Sequence, residues 1–291
     1  MITSEYRDTV RTALLSRRTN FGGTNAQFAK IYGLSGAIYS RLSNGETERI
    51  ISDSLWIQIG RELQISSKTS NWKAVRTKVY TEIEDSIKFC QGYGSSMVLV
   101  DDCGIGKTFS AKNVVKTLKN AFYVDCSQAK SKQLFIKLLA KTIGLDNKGK
   151  YADVKANLKY YLNELDNPVI VLDEAGDLEY TAFLELKELW NATDGFCGWF
   201  MMGADGLQSK IEKGINSKKV GFAEIFSRFS DEFIRLTPVG TSDKKAFRYE
   251  LLSQVAKANH SGSVPVENLV KQCLDKNTTL RHLDTLIKIS A

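Results

Sequence analysis

The chain has 291 residues, 43% hydrophobic and 25% charged, which is enough apolar material for packed cores and a length suited to about two domains. Lys+Arg 40 against Asp+Glu 33 leaves a net charge of +7, a balance that suits a polyanionic partner better than an acidic one. Cysteines 90, 103, 126, 197 and 273 contain no CxxC pair, so neither a zinc site nor a disulfide framework is indicated, and no apolar run reaches the ~18 residues of a membrane span or forms a signal-peptide core.

Residues 6–15 read as a helix. Thr24 or Asn25 then caps a second one, with Ala26, Phe28, Ala29, Ile31 and Tyr32 on one side. Gly33 supplies a turn, Ser35 caps a third helix with Ile38 and Leu42 facing inward, and Asn44-Gly45 stops it. Two short helices about a glycine turn make a helix-turn-helix. The run FAKIYGLSGAIYSRLSNG and the downstream SLWIQIGRELQI resemble the phage-repressor type of DNA-binding domain over residues 24–65. Gly36 and Ala37 occupy the first turn, where a recognition helix aims polar side chains at base edges. Ser35, Tyr39, Ser40 and Arg41 remain, and they suit phosphate contacts. DNA binding with little sequence preference is therefore expected from a domain spanning 1–70, with the polar run 66–70 as linker.

Residues 72–90 read as one or two helices, with Val75, Val79, Ile83 and Ile87 spaced by four. In 95–108, SSMVLVDDCGIGKT, a short buried strand leads into a glycine turn, Lys107-Thr108 and a helix over 109–118. That order is a phosphate-binding loop: backbone N–H groups and a helix N-terminus converge on one point. Asp102, Cys103, Gly104, Ile105, Gly106, Lys107, Thr108 and Phe109 would surround a triphosphate, with Lys107 on its β/γ-phosphates and the Thr108 hydroxyl on Mg2+. GxxxxGK[ST] asks for glycine at 101, and this chain has Asp101. Aspartate tolerates an unusual backbone angle, but its carboxylate beside a polyanion would weaken binding.

A strand over 121–126 follows, and then NPVIVLDEAGDL, where an apolar strand ends in Asp173-Glu174. Two adjacent acids at a buried strand's end form a Walker B motif. Asp173 would hold the Mg2+ shell and Glu174 would polarise the attacking water. A helix over 180–191 precedes an apolar strand over 198–202, and 233–236 reads as the last core strand. Helices over 243–258, 265–276 and 279–290 close the chain.

From residue 75 onward this pattern resembles the AAA+ ATPases: an α/β P-loop core over 71–240 with a parallel sheet sandwiched by helices, and a helical lid over 241–291. The resemblance implies that the 198–202 strand lies between the two Walker strands and ends in a sensor residue, Asp205 or, by register, Ala204. It implies that Arg228 in EIFSRF is an arginine finger serving a neighbour's γ-phosphate, and that Arg281 reaches back to the phosphates from the lid. Joined to a repressor-like N-terminal domain, the chain is similar to the transposition ATPases of the MuB, TniB, TnsC and IstB group. That likeness implies ATP and Mg2+ as cofactors and a homo-oligomer, filament or ring, on double-stranded target DNA. It also implies recruitment of a DDE transposase and a cytoplasmic setting in a bacterium, phage or mobile element. A helicase-loader or replication-initiator ATPase and a nucleotide-switched transcriptional regulator are the alternatives.

Residues 127–160 hold eight lysines against Asp146 and Asp153, a surplus of six beside the chain's +7. Such a segment, repeated through an oligomer, would give a phosphate-binding track led by Lys130 and Lys132. A solvated lysine-rich helix face is the competing reading.

Overall fold

The computed structural model describes residues 2–19, 21, 23–63, 65 and 72–290; the expected linker, 66–70, lies outside them. The chain divides into two compact units, Met1–Asn71 with Leu139–Tyr161, and Trp72–Leu138 with Leu162–Ala291.

The first unit is helical. Helices α1 (Ser4–Thr19), α2 (Asn25–Ile31), α3 (Gly36–Ser43) and α4 (Asp53–Glu62) enclose Val10, Leu14, Phe28, Leu42, Trp56 and Ile59. Thr24 and Gln27 form a reciprocal capping box on α2, and the Ser35 hydroxyl accepts the Ile38 N–H at 3.2 Å. Gly33 turns the chain between them at φ +71°, a conformation glycine enters without steric cost. Helix α4 lies so close to α1 that a Cβ on Gly60 would sit 1.9 Å from the Tyr6 hydroxyl oxygen. The unit also takes up part of the lysine-rich segment, because α7 (Lys132–Ile143) and α8 (Tyr151–Glu164) contribute residues 139–161 to it. The half-buried Arg17 side chain donates to the Lys141 carbonyl at 2.6 Å, near the C-terminus of α7, where a cation suits the helix dipole. The lysine segment is thus divided, with 130, 132 and 137 in the second unit and 141–159 in the first.

The second unit is built on a parallel sheet of β1 (Ser96–Val100), β2 (Ala121–Asp125), β3 (Val169–Asp173), β4 (Gly198–Gly203) and β5 (Phe233–Ile234), in the order β2-β3-β4-β1-β5. Every residue of β3 and β4 is buried, as expected where helices cover both faces of parallel strands. On one face, Val79, Ile83 and Ile87 of α5 (Lys78–Tyr93) pack with Leu99, Phe200 and Met202 and with α6 (Lys107–Thr117). Helices α9 (Tyr180–Ala192), α10 (Asp205–Asn216) and α11 (Phe222–Arg228) complete the α/β core.

Helices α12 (Thr241–Asn259), α13 (Val266–Asp275) and α14 (Leu280–Ile289) form the C-terminal helical bundle, at the place expected of the lid, around Leu252, Leu269, Cys273, Leu283 and Ile287. The expected helix over 72–90 is corrected at its start. Residues 72–77 form no helix before the Thr77 cap of α5, and Trp72 and Val75 join the lid core. The Lys73 N–H reaches the Asn259 side chain at 2.6 Å. No helix among the described residues is long and apolar enough to cross a membrane.

The α1–α4 contact gives a test of the first unit. Gly60→Ala is expected to destabilise it by about 1–3 kcal/mol through overpacking, read as a lower urea midpoint. An unchanged midpoint would contradict the close approach.

Candidate nucleotide site

The parallel order sets the site, because strands running the same way deliver their C-terminal ends to one edge. There β1 releases the loop 101–106 and β3 ends in Asp173, with β4 lying between them. Gly104 and Gly106 sit at φ +73° and +103°, the left-handed region that glycine enters without cost. Immediately behind them, α6 starts at Lys107. The Thr108 hydroxyl donates to Asp173 Oδ2 at 2.7 Å, so the two expected metal positions are in direct contact across 65 residues of sequence. The Lys107 ammonium is buried within the loop and donates to the carbonyls of Asp101 and Asp102 at 2.7 and 2.8 Å. Burial lowers its pKa, against the opposing pull of Asp101, Cys103, Asp173 and Glu174.

Glu174 follows Asp173 at φ +50°, and its backbone N–H donates to Asp173 Oδ1 at 2.9 Å. A left-handed non-glycine residue beside a reaction site is a strained arrangement held by its surroundings. Burial, and then the like charge of Asp173, raises the Glu174 pKa, which is the direction that suits a proton acceptor working near neutrality. Tyr123 also serves this cluster, and the sequence reading missed it. Its hydroxyl donates to Asp173 Oδ2 at 2.6 Å, while burial and then Asp173 push the phenol's pKa up. The signal was available in register: Tyr123 pairs with Val171 on β3, two residues before Asp173 and so on the same face.

The expected unusual angle at residue 101 is absent, since Asp101 does not take a positive φ. Its side chain is wholly buried, and its Oδ2 accepts the N–H groups of Leu236 and Thr237 at 2.6 and 2.9 Å. Its Oδ1 accepts the Asp102 N–H at 2.7 Å. The carboxylate is thus occupied by three backbone donors, a structural role that glycine at 101 could not fill.

A cleft of about 450 Å3 opens between this loop, the end of β4 and the lid. Asp102, Cys103, Gly104 and Ile105 line it, as do both sensor candidates, Ala204 and Asp205. Asp205 is held by Arg235 at 2.8 Å, and that pairing raises the arginine's pKa. Thr237 Oγ1 is buried on this lining without a hydrogen-bond partner among the described residues, as a ligand-facing hydroxyl would be. Cys103 is exposed within the loop and Phe109 just after it. Arg281 is exposed on the first turn of α14 and lies outside the cleft lining. The lid arginine that lines it is Arg248, tied to the Asn277 side chain and the Thr278 carbonyl.

Arg228 lies elsewhere. It packs over the Trp190 ring at 5.1 Å and donates to Asn191 and to the Glu224 carbonyl, both at 2.7 Å. Trp190 in turn bonds the Ser96 hydroxyl at 2.8 Å, which marks the N-terminal end of β1. The phosphate loop leaves the other end, a strand length of roughly 15 Å away. Arg228 is thus placed toward the end of the sheet opposite its own phosphate loop.

One of the expected DNA contacts on α3 is corrected. Tyr39 is 3% exposed and packs edge-on against Phe28 at 5.7 Å. It is a core residue, and its assignment as a phosphate contact is withdrawn. Arg41 is exposed but bonded to Glu46 at 2.7 Å, while Ser35 caps α3 and Ser40 is exposed. In the second unit, Lys130 is paired with Asp177 at 3.0 Å, and Lys132 is exposed at the start of α7.

A glycine loop after one parallel strand, a hydroxyl–carboxylate contact to a second and a helical bundle beside the cleft make up an α/β P-loop nucleotide site, and residues 90–211 match the AAA domain family. Along nearly its whole length the chain is similar to the ATP-dependent target DNA activator B of Escherichia phage Mu. That alignment is 24% identical over 293 residues and covers 99% of this chain and 88% of the phage protein. The protein of the same name from Escherichia phage D108 is 25% identical over 269 residues, covering 87% and 83%. The structure of the Aeropyrum pernix ORC1 protein in complex with DNA shares the fold at TM-score 0.55 and 16% identity, covering 74% of this chain and 59% of that one.

If Glu174 accepts the proton of the attacking water, Glu174→Gln should lower ATP turnover by about 10²–10⁴-fold while nucleotide binding persists. The raised pKa places the acid limb of wild-type turnover above the ~4.3 of an ordinary glutamate, because protonation removes the base. Phosphate release measured against pH, with binding followed separately, checks both. Retained turnover in Glu174→Gln would assign the role elsewhere.

Proposed function

We propose that this ATPase binds double-stranded DNA with little sequence preference, assembles on it in the ATP state, and there recruits and activates a DDE transposase. The observation that carries this reading is similarity over 99% of the chain to a protein named for ATP-dependent activation of target DNA. It thus extends to the N-terminal helices as well as the ATPase core. The exposed first turn of α3, with glycine and alanine at 36 and 37, supports docking through phosphates rather than base reading. The lysines at 130 and 132 supply further charge on the ATPase unit.

In this reading Lys107 and the loop amides bind the triphosphate, Glu174 orients and deprotonates water, and Asp205 or Ala204 senses the γ-phosphate end. Thr108 and Asp173 suit Mg2+, offering two hard oxygen donors 2.7 Å apart, as expected of an ion that shares its coordination with substrate phosphates. Bound there, Mg2+ would neutralise charge on the phosphates. Arg228, remote from its own loop, acts on the site of an adjacent subunit, so assembly completes the site and hydrolysis releases it. A cytoplasmic setting in a bacterial host follows from the same reading.

Electron microscopy of the protein with arbitrary-sequence duplex and a non-hydrolysable ATP analogue tests this. Continuous oligomers coating the DNA are expected. Replacing Lys130 and Lys132 together by glutamine should thin the coating and flatten the salt dependence of binding by about two phosphate contacts. Binding confined to one operator-like sequence, or an unchanged salt slope in the double variant, would overturn the corresponding limb.

A further inference from the structure

We propose that Asp101, with Asp102 beside it, is a positioning residue that couples the phosphate loop to the hinge of the C-terminal lid, so that nucleotide in the loop sets the lid's orientation. The loop is tied to the lid side at three points. Asp101 Oδ2 takes the N–H groups of Leu236 and Thr237, where the chain leaves the sheet edge after β5 on its way to α12. Asp102 Oδ2 pairs with Lys244 in the first turns of α12 at 2.6 Å. The Gly104 carbonyl accepts the Leu280 N–H at 3.2 Å at the start of α14, and a Cβ on Gly104 would meet Thr279 at 2.6 Å.

The Asp101 link is the stiff one. A fully buried carboxylate holding three backbone N–H groups is a charge-assisted arrangement that cannot be broken without stranding both the charge and its donors. Pro238 follows directly and fixes the backbone next to the pinned amides. On the other side, the Lys107 ammonium donates to the carbonyls of Asp101 and Asp102. When Lys107 turns toward a phosphate, its ammonium shifts relative to those carbonyls, and the displacement is passed through the two carboxylates to the hinge and to α12. Glycine at 101 would have no atom with which to do this. The inference depends on nucleotide binding and not on DNA or a transposase.

The test is a distance measurement between bio-orthogonal spin labels on exposed Lys116 in α6 and exposed Lys271 in α13, with and without Mg2+ and a non-hydrolysable ATP analogue. Nucleotide binding is followed in the same samples. The wild type should shift its distance distribution on binding. Asp101→Gly should bind the analogue and lose the shift, and Lys244→Gln, which cuts only the outer ion pair, should reduce it. A wild-type shift in nucleotide-bound Asp101→Gly overturns the coupling, as does a wild type that does not shift. Loss of nucleotide binding in folded Asp101→Gly would make Asp101 part of the binding loop itself and equally count against it. Should Asp101→Gly fail to fold, an undiminished shift in Lys244→Gln overturns the proposal.

Discussion

The contact on which the second unit depends is the hydrogen bond from Thr108 to Asp173 at 2.7 Å. It joins the first turn of α6 to the end of β3 and exists only because β4 spaces β1 and β3 in a parallel sheet. A buried carboxylate needs donors, and Asp173 has the Thr108 and Tyr123 hydroxyls and the Glu174 N–H. The same bonds hold Glu174 just beyond the strand, where its backbone is left-handed at φ +50°.

A second constraint comes from the opposite end of that sheet. Trp190, Ser96 and Ser230 form a polar cluster at the start of β1, where Ser230 donates to the Ser96 carbonyl at 2.9 Å. Arg228 is packed onto it. Its planar guanidinium stacks well on an aromatic ring, and it keeps donors suited to an anion. Within one chain the loop and acids therefore lie at one end of the sheet and this arginine toward the other, the separation on which the proposed sharing of a site between subunits rests.

Much of this was legible locally. Apolar runs ending in Lys107-Thr108 and in Asp173-Glu174 carry their own strand, turn and helix signals, and the parallel order follows from buried strands alternating with helices. What was not legible depends on partners distant in sequence. Asp101 is understood only through Leu236 and Thr237, and Arg248 lines the cleft because Asn277 and Thr278 hold it there. Val75 continued a spacing of four by coincidence, whereas its side chain belongs to the lid core. Tyr39 was misjudged for a different reason. A polar tip suggested the surface, but its position on α3 turns the ring onto Phe28, and an amphipathic side chain follows the helix face on which it sits.

The claim that joins these parts is that two chains make one active site. Mixing Glu174→Gln subunits, which keep the arginine, with Arg228→Ala subunits, which keep the acid, tests it directly on DNA. ATP turnover by the mixture should rise well above the sum of the two separate variants, because some interfaces regain a complete site. Turnover no greater than that sum, with both variants still assembling, would contradict the shared site.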